Sequence, residues 1–490
     1  MTQIVLVRTL SATLLATTLL GALPAAAAPT LLATGTLTGS SAGVGMDLSG
    51  LTGTLENGLN ANVLGGIGSA LAWAGGNTFL AGPDRGPNAT SYNAAVDDTT
   101  SYIQRFQTVT MTLAPNASRT AFTLAPTLAA TTLLYSATPL NYGAGAGLGT
   151  EASGAALRNG AAQNTAGKSY FTGRSDNYAP GLSTNPANAR LDLEGLRVSA
   201  DGKSVFVSDE YGPYLYQFDR ATGQRLRAYA LPSSGPGNLS IPTLSPNGAT
   251  EISGNTTGRT TNRGMEGLAI TPDGKTLVGV MQSALLQDDK NPTKKLIRIV
   301  TVDVATGATR EYGYTLTSGS GVSEITAIND HEFLLDERDG RGLGDGTTAV
   351  VKQLFRIDLT GAADISNFGG AAALAAAVPK TLVVDLVALL NGAGITSANI
   401  PSKIEGIAFG QDVVVNVAGQ FVTQHTLWIA NDNDFVPGVA GQNTFYVLGL
   451  TDADLGATLV PQDIPEPASL ALLTAGIVGL GVGAQRKRQA

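Results

Sequence analysis

Short apolar runs with period-two alternation, separated by tight turns, recur along this chain in a fixed phrase. An acidic residue opens a first run, an Asp-Gly turn follows, and a second run ends in further carboxylates. One copy reads Leu193-Glu194-Gly195-Leu196-Arg197-Val198, Asp201-Gly202, then Ser204-Val205-Phe206-Val207-Ser208-Asp209-Glu210. Another reads Met265-Glu266-Gly267-Leu268-Ala269-Ile270, Asp273-Gly274, then Thr276 to Met281. Weaker copies start at Ser323-Glu324-Ile325, Ile404-Glu405-Gly406-Ile407 and Gly68-Ser69-Ala70-Leu71. Alternation over such lengths predicts half-buried strands, and Asp-Gly between them predicts hairpin turns because Gly accepts positive φ.

A third run ends each time in an Asp-containing turn closed by Thr-Gly: Asp219 to Gly223, Asp303 to Gly307, and Asp358-Leu359-Thr360-Gly361. Alternating segments at Gln224 to Tyr229 and Ala308 to Tyr314 supply a fourth strand. Repetition at this length, with four antiparallel strands per unit, predicts an all-β fold, a β-propeller. The acidic positions Glu194, Glu266, Glu324 and Glu405 are separated by 72, 58 and 81 residues, so loops vary while the unit persists. Five blades are visible, and the spacing predicts about six in all. The sixth is expected within Met111 to Leu134, or by closure with a strand near Thr30 to Thr38.

Both ends depart from this pattern. Residues 1–28 carry Arg8, an apolar stretch from Leu10 to Leu23 and the run Ala25 to Ala28, which reads as a secretory signal peptide. Residues 464–490 hold Pro465-Glu466-Pro467, seventeen uncharged residues from Ala468 to Ala484, and Arg486-Lys487-Arg488. The apolar run predicts a short C-terminal helix, barely long enough to cross a bilayer, with its basic tail on the cytoplasmic side. Residues 29–463 are then one exported propeller domain. Its long insertion, 135–190, is expected to be either a lid or loose surface; the stretch Arg174 to Tyr178 is the more lid-like part.

Composition removes several kinds of chemistry. The chain has no cysteine, which excludes disulfides, thiolate nucleophiles and thiolate metal sites. A net charge of −8 makes nucleic acid an unsuitable partner. There are two histidines, His331 in a hairpin turn and His425 near a strand start, and both are expected to be surface or turn residues. Gly39-Ser40-Ser41-Ala42-Gly43 spells a nucleophile elbow without the flanking strand and helix that the motif requires.

First strands of propeller blades line the central channel, so Glu194, Glu266, Glu324 and Glu405 are expected to form a partial carboxylate ring. Second-strand ends add Asp84, Asp209, Glu210, Asp336, Glu337 and Asp432. Crowded carboxylates raise one another's pKa or hold a cation, and many hard oxygens suit Ca²⁺. Arg85, Arg174, Arg263 and Arg338 are the candidates to clasp a phosphate or carboxylate of a substrate. The Glu-Gly pairs have a second reading, as mortar between blades with Gly allowing close backbone approach.

Several of these segments carry a family resemblance. Leu193-Glu194-Gly195-Leu196, Ser208 to Pro213, Arg263 to Leu268, Asp84-Arg85-Gly86-Pro87 and Lys403 to Ile407 resemble the phytase-like domain called "esterase-like activity of phytase", over roughly Gly65 to Leu450. The resemblance implies a propeller near the calcium-dependent propeller phytases and an ester-hydrolysing activity. The C-terminal segment is similar to the PEP-CTERM sorting signal of Gram-negative bacteria, which implies an exosortase-type processing enzyme and a transient or lasting membrane anchor. Two functions remain open on the sequence. One is an exported hydrolase of phosphate or carboxylic esters, Ca²⁺-dependent and acting on a small-molecule ester. The other is a non-catalytic envelope or matrix propeller that binds a glycan, peptide or surface polymer.

Overall fold

A computed structural model of the chain describes residues 28–38, 46–88, 99–142, 163–174, 182–242, 244, 251, 253–290 and 292–465. The expected signal peptide, the Gly39 to Gly43 motif, the tip of the long insertion and the C-terminal apolar run lie outside the described residues. Among the described residues, no helix is long and apolar enough to cross a membrane.

Five antiparallel sheets are arranged as propeller blades, with the inner strand of each adjoining the inner strand of the next and the last adjoining the first. The inner strands are Ala70–Trp73, Leu193–Val198, Met265–Ile270, Gly321–Ala327 and Ile404–Phe409. The expectation of about six blades is corrected to five. Met111 to Leu134 is the outer hairpin of the first blade, whose strands are Arg105–Pro115 and Phe122–Leu133. Thr30–Leu37 pairs with Asn443–Leu450 and supplies the outermost strand of the fifth blade. The chain start thus closes the ring on a blade begun by its C-terminal part, and no extra sheet is needed.

The Asp-containing turns take the form their residues favour. Gly202 and Gly274 have φ of +72° in their hairpins. In the third-to-fourth-strand turns, Thr222, Thr306 and Thr360 donate backbone N–H bonds to Asp219, Asp303 and Asp358. These local bonds fix the hairpins before any packing between blades is considered.

Two features of the inner strands position the site. Each strand bearing a repeat Glu carries a register irregularity at or just before that residue: between Leu193 and Leu196, Met265 and Gly267, Val322 and Glu324, and Ile404 and Ile407. A β-bulge re-aims a side chain, and in three of these strands the residue it leaves out of register is the Glu itself, Glu194, Glu266 or Glu405. The glycine after the Glu is the second feature. A Cβ on Gly195 would sit 2.6 Å from Leu268 of the third blade, and one on Gly267 would sit 2.7 Å from the Glu324 backbone of the fourth. The mortar reading of the Glu-Gly pair thus finds its contact at these two glycines, where neighbouring inner strands touch.

An ion pair crosses the middle of the channel. The Arg197 guanidinium donates to the carbonyls of Leu71, Leu196, Ile325 and Ile407, and lies 3.3 Å from Glu324. Below it, the C-terminal segment straps the opposite mouth. Val460 N donates to Ile328 O, Gln462 Nε2 donates to Val198 O, and Ile464 is buried against the second blade. A cavity of about 60 Å³ bordered by Arg197, Trp73, Phe409 and Val460 remains between plug and strap. The insertion contributes Phe171, fully buried against Tyr216 and Phe218, so its Phe171 to Arg174 part is buried between the first two blades.

Candidate metal centre

On the other side of the Arg197 plug, carboxylates from several blades converge. One oxygen each of Glu194, Glu210 and Glu266 lie within 4.8 Å of one another, and the same holds for Asp84, Asp192 and Glu194 and for Asp84, Asp432 and Asp434. Glu194 and Glu266 come from bulged inner strands. Glu210 immediately follows the second strand Ser204–Asp209, and its Oε1 accepts the Gly264 N–H at the entrance to the third blade. Glu266 Oε1 accepts from Gln282 Nε2 at 2.7 Å, whereas its Oε2 is buried with no partner. Among the described residues no hydrogen-bond donor reaches Glu194.

Burial dominates the electrostatics. It pushes the carboxyls of Glu210 and Glu266 up to about 8, with Glu266 acting on Glu210 and Glu405 acting on Glu266 in the same direction. Glu194 is raised well above the usual range by burial and by Glu266. Asp192 is raised by burial against the pull of Arg85, 3.4 Å away, with the neighbouring charges of Glu210 and Asp84 adding to the rise. These groups either hold protons or need a cation.

The remaining anticipated residues fall into distinct places. Glu324 lies at the plug: Oε1 accepts the N–H groups of Leu268 and Ile325, and Arg197 faces the other oxygen. Glu405 is bound by Arg338, which also donates to Ser323 and stands 4.0 Å from Glu266. Asp209 is a loop brace, accepting the N–H groups of Asp192, Tyr211 and Gly212. Asp336 is fully buried with both oxygens unpartnered, and burial lifts it to about 7 against Arg338 and Lys352. Glu337 points to the opposite face of the same strand, where Lys380, Tyr314 and the N–H groups of Thr317, Ser318 and Gly319 bind it. Strand alternation explains the split between Asp336 and Glu337.

Of the anticipated cations, Arg85 reaches Asp192 and Asn88. Arg174 pairs with Glu56 and Ser101. Arg263 is exposed in the turn before Gly264. His331 is exposed beside Asp358, and His425 lies in the strand Gln420–Asn431 between Asp412 and Asp452, so neither joins the carboxylates.

Sequence reasoning passed over Asp192, Arg197 and Lys403 as site residues, and weighed Asp434 only as part of the acidic loop Asn431 to Asp434. Asp192 and Lys403 each stand two positions before a repeat Glu, the spacing that keeps residues on one side of an extended chain, and that signal was available. Lys403 Nζ lies 2.6 Å from Asp432 and 2.6 Å from Asp434, and 4.0 Å from Asp84. Burial opposes its charge, but these carboxylates outweigh it and raise its pKa well above normal.

The donor set fits a hard divalent cation. It offers carboxylate oxygens from separate blades, no sulfur or imidazole, and buried oxygens on Glu266 and Asp192 that nothing in the protein satisfies.

Comparison with known proteins adds the following. A family model, Phytase-like, described as esterase-like activity of phytase, matches residues 62–435. A protein of Arthroderma benhamiae named "Uncharacterized secreted protein" is 37% identical over 153 residues, which is 29% of this chain and 28% of the relative's length. Among solved structures, the Pseudomonas aeruginosa periplasmic gluconolactonase PpgL is 11% identical, with 78% of this chain and 88% of that one covered at a TM-score of 0.30. A luciferin-regenerating enzyme is 9% identical, with 84% and 95% covered, also at 0.30.

Proposed function

The chain belongs to the Phytase-like family of esterase-like activity of phytase, and from that membership we propose that it is an exported, Ca²⁺-dependent hydrolase of phosphate or carboxylic esters. The observation that carries the proposal is the meeting of Glu194, Glu210 and Glu266 from three points of two adjacent blades, with Glu266 Oε2 buried and unpartnered.

Glu194, Glu210 and Glu266 would hold the ion, with Asp84 and Asp192 beside them. When bound, Ca²⁺ supplies Lewis-acid polarisation of an ester oxygen and acidifies a water. The chain's own groups set the rest. Gln282 fixes the rotamer of Glu266, and the Gly264 N–H fixes that of Glu210. The Arg197 plug and the C-terminal strap close the far end of the channel, so substrate enters from the carboxylate side. Arg85 and Arg338 border the cluster and orient an anionic group of the substrate.

Export is supported by the signal-like residues 1–28 and by the secreted relative. The segment from Pro465 is read as a sorting signal, anchored in the membrane until an exosortase-type enzyme removes it. Mass spectrometry of the mature C-terminus tests this.

The activity test uses purified protein on aryl carboxylic esters, aryl phosphates and phytate, with Ca²⁺ and with chelator. Turnover that requires Ca²⁺ and is lost in a Glu194→Gln, Glu266→Gln double variant supports the proposal. Turnover that is absent, or equal in the double variant, removes it.

A further inference from the structure

Two of the three carboxylate groupings at the channel mouth differ in one respect. Around Glu194, Glu210 and Glu266, among the described residues, the side-chain cation paired with the group is Arg338, 4.0 Å from Glu266 and committed to Glu405. Around Asp84, Asp432 and Asp434 an ammonium already sits among the oxygens. Lys403 Nζ is within hydrogen-bond distance of two of the three and 4.0 Å from the third. Each of those three aspartates is otherwise occupied or restrained: Asp84 accepts the Gly86 N–H, Asp432 Oδ1 accepts the Asp434 N–H, and Lys403 binds the two outer groups.

We propose that Lys403 is a built-in substitute for a second metal ion, so that the channel mouth takes one divalent cation, at Glu194, Glu210 and Glu266, and is closed to another at Asp84, Asp432 and Asp434. This rests on the cation reading given above and adds a stoichiometry and a division of labour to it.

The physical argument is one of position and charge. Oxygen ligands stand about 2.3–2.6 Å from Ca²⁺, and the ammonium holds two carboxylates at nearly that range. Lys is a compact point charge with three donors, and so is suited to the centre of three oxygens where a planar guanidinium is not. A metal entering the aspartate group would have to expel a cation whose charge those same aspartates stabilise. The chain position agrees: Lys403 precedes Glu405 by two residues, as Asp192 precedes Glu194, so in one blade the repeat brings an acid to this rim and in another a base.

Calorimetric titration of the chelator-treated chain with CaCl₂ tests the proposal, because it counts ions without reference to activity. The wild type is expected to bind one ion. Lys403→Met frees the aspartates and is expected to bind two, with Ca²⁺ raising its melting temperature more than it raises that of the wild type. Lys403→Gln, which keeps a polar side chain but no charge, is likewise expected to bind two ions, and one ion in it overturns the proposal if Lys403→Met does not fold.

Two ions in the wild type, or one in a folded Lys403→Met variant, overturns the lysine assignment and leaves the cation reading standing. None in the wild type but one in Lys403→Met upholds the lysine assignment and removes the ion from the glutamates. None in either removes both.

Discussion

Arg197 and Glu324, 3.3 Å apart on the propeller axis, together reach the backbone of all five blades. The arginine belongs to the second blade and bonds carbonyls of the first, fourth and fifth; the glutamate belongs to the fourth and accepts an N–H from the third. A propeller is held by contacts between neighbours, and this pair adds a direct tie among blades that are not neighbours.

Removing one member leaves a buried, uncompensated charge. Arg197→Met is expected to lower the unfolding free energy by about 3–5 kcal/mol, measured by urea denaturation. The double variant Arg197→Met, Glu324→Gln is expected to recover part of the loss.

The pH dependence without metal follows from the raised carboxyls. Glu210 and Glu266 are pushed up to about 8 and Asp336 to about 7, chiefly by burial, while in the unfolded chain such groups titrate near 4. The folded state therefore binds more protons than the unfolded state between about pH 4 and 8. Their contribution to stability is whole below that window and is lost as pH rises through it. Melting temperature in chelator should fall from pH 5 to pH 8.5, and Ca²⁺ should restore it at pH 8.5 far more than at pH 5. A flat or rising profile in chelator would contradict this.

Two glutamates with equal claims in the sequence should behave differently. Glu266→Gln removes an unsatisfied oxygen from the cluster and should weaken Ca²⁺ binding by more than about 100-fold, the upper range for supporting residues. Glu337→Gln disturbs Lys380 and Tyr314 on the opposite face, so it should lower the melting temperature and leave Ca²⁺ affinity intact. Calorimetry beside thermal unfolding separates the two effects.

Close approach of inner strands also has a measurable consequence. Gly267→Ala places a Cβ 2.7 Å from Glu324 Cα and Ile325 N, backbone atoms that cannot swing aside. It is expected to cost about 1–3 kcal/mol, the usual range for overpacking. Because it separates the third and fourth blades beside Glu266, it should also reduce Ca²⁺ affinity.

Much of the fold was legible because its signals are local. The Asp-Gly hairpins, the Asp-to-Thr turns and the alternating strands each report on a few neighbouring residues, and their repetition reports the propeller. The blade count was less legible: the sequence predicts a closing strand near Thr30 to Thr38, but its pairing with Asn443–Leu450, which completes the fifth blade instead of a sixth, is a long-range contact that no local pattern records. At the site, the repeat placed Glu194 and Glu266 in equivalent strands, yet it could not reveal that Glu324 would turn to Arg197. That depends on an arginine three residues beyond Glu194, present in one copy of the phrase only. Glu337 shows the limit of loop-level reading: Asp336-Glu337-Arg338 remains strand in the structure, and alternation sends its middle member away from the channel.

Crystals soaked in a calcium surrogate with strong anomalous scattering, such as a lanthanide, test the central claim most directly. The account predicts an anomalous peak among the carboxylates of Glu194, Glu210 and Glu266, abolished by Glu266→Gln. A map with no peak there, at a concentration that occupies other sites on the same molecule, would contradict it.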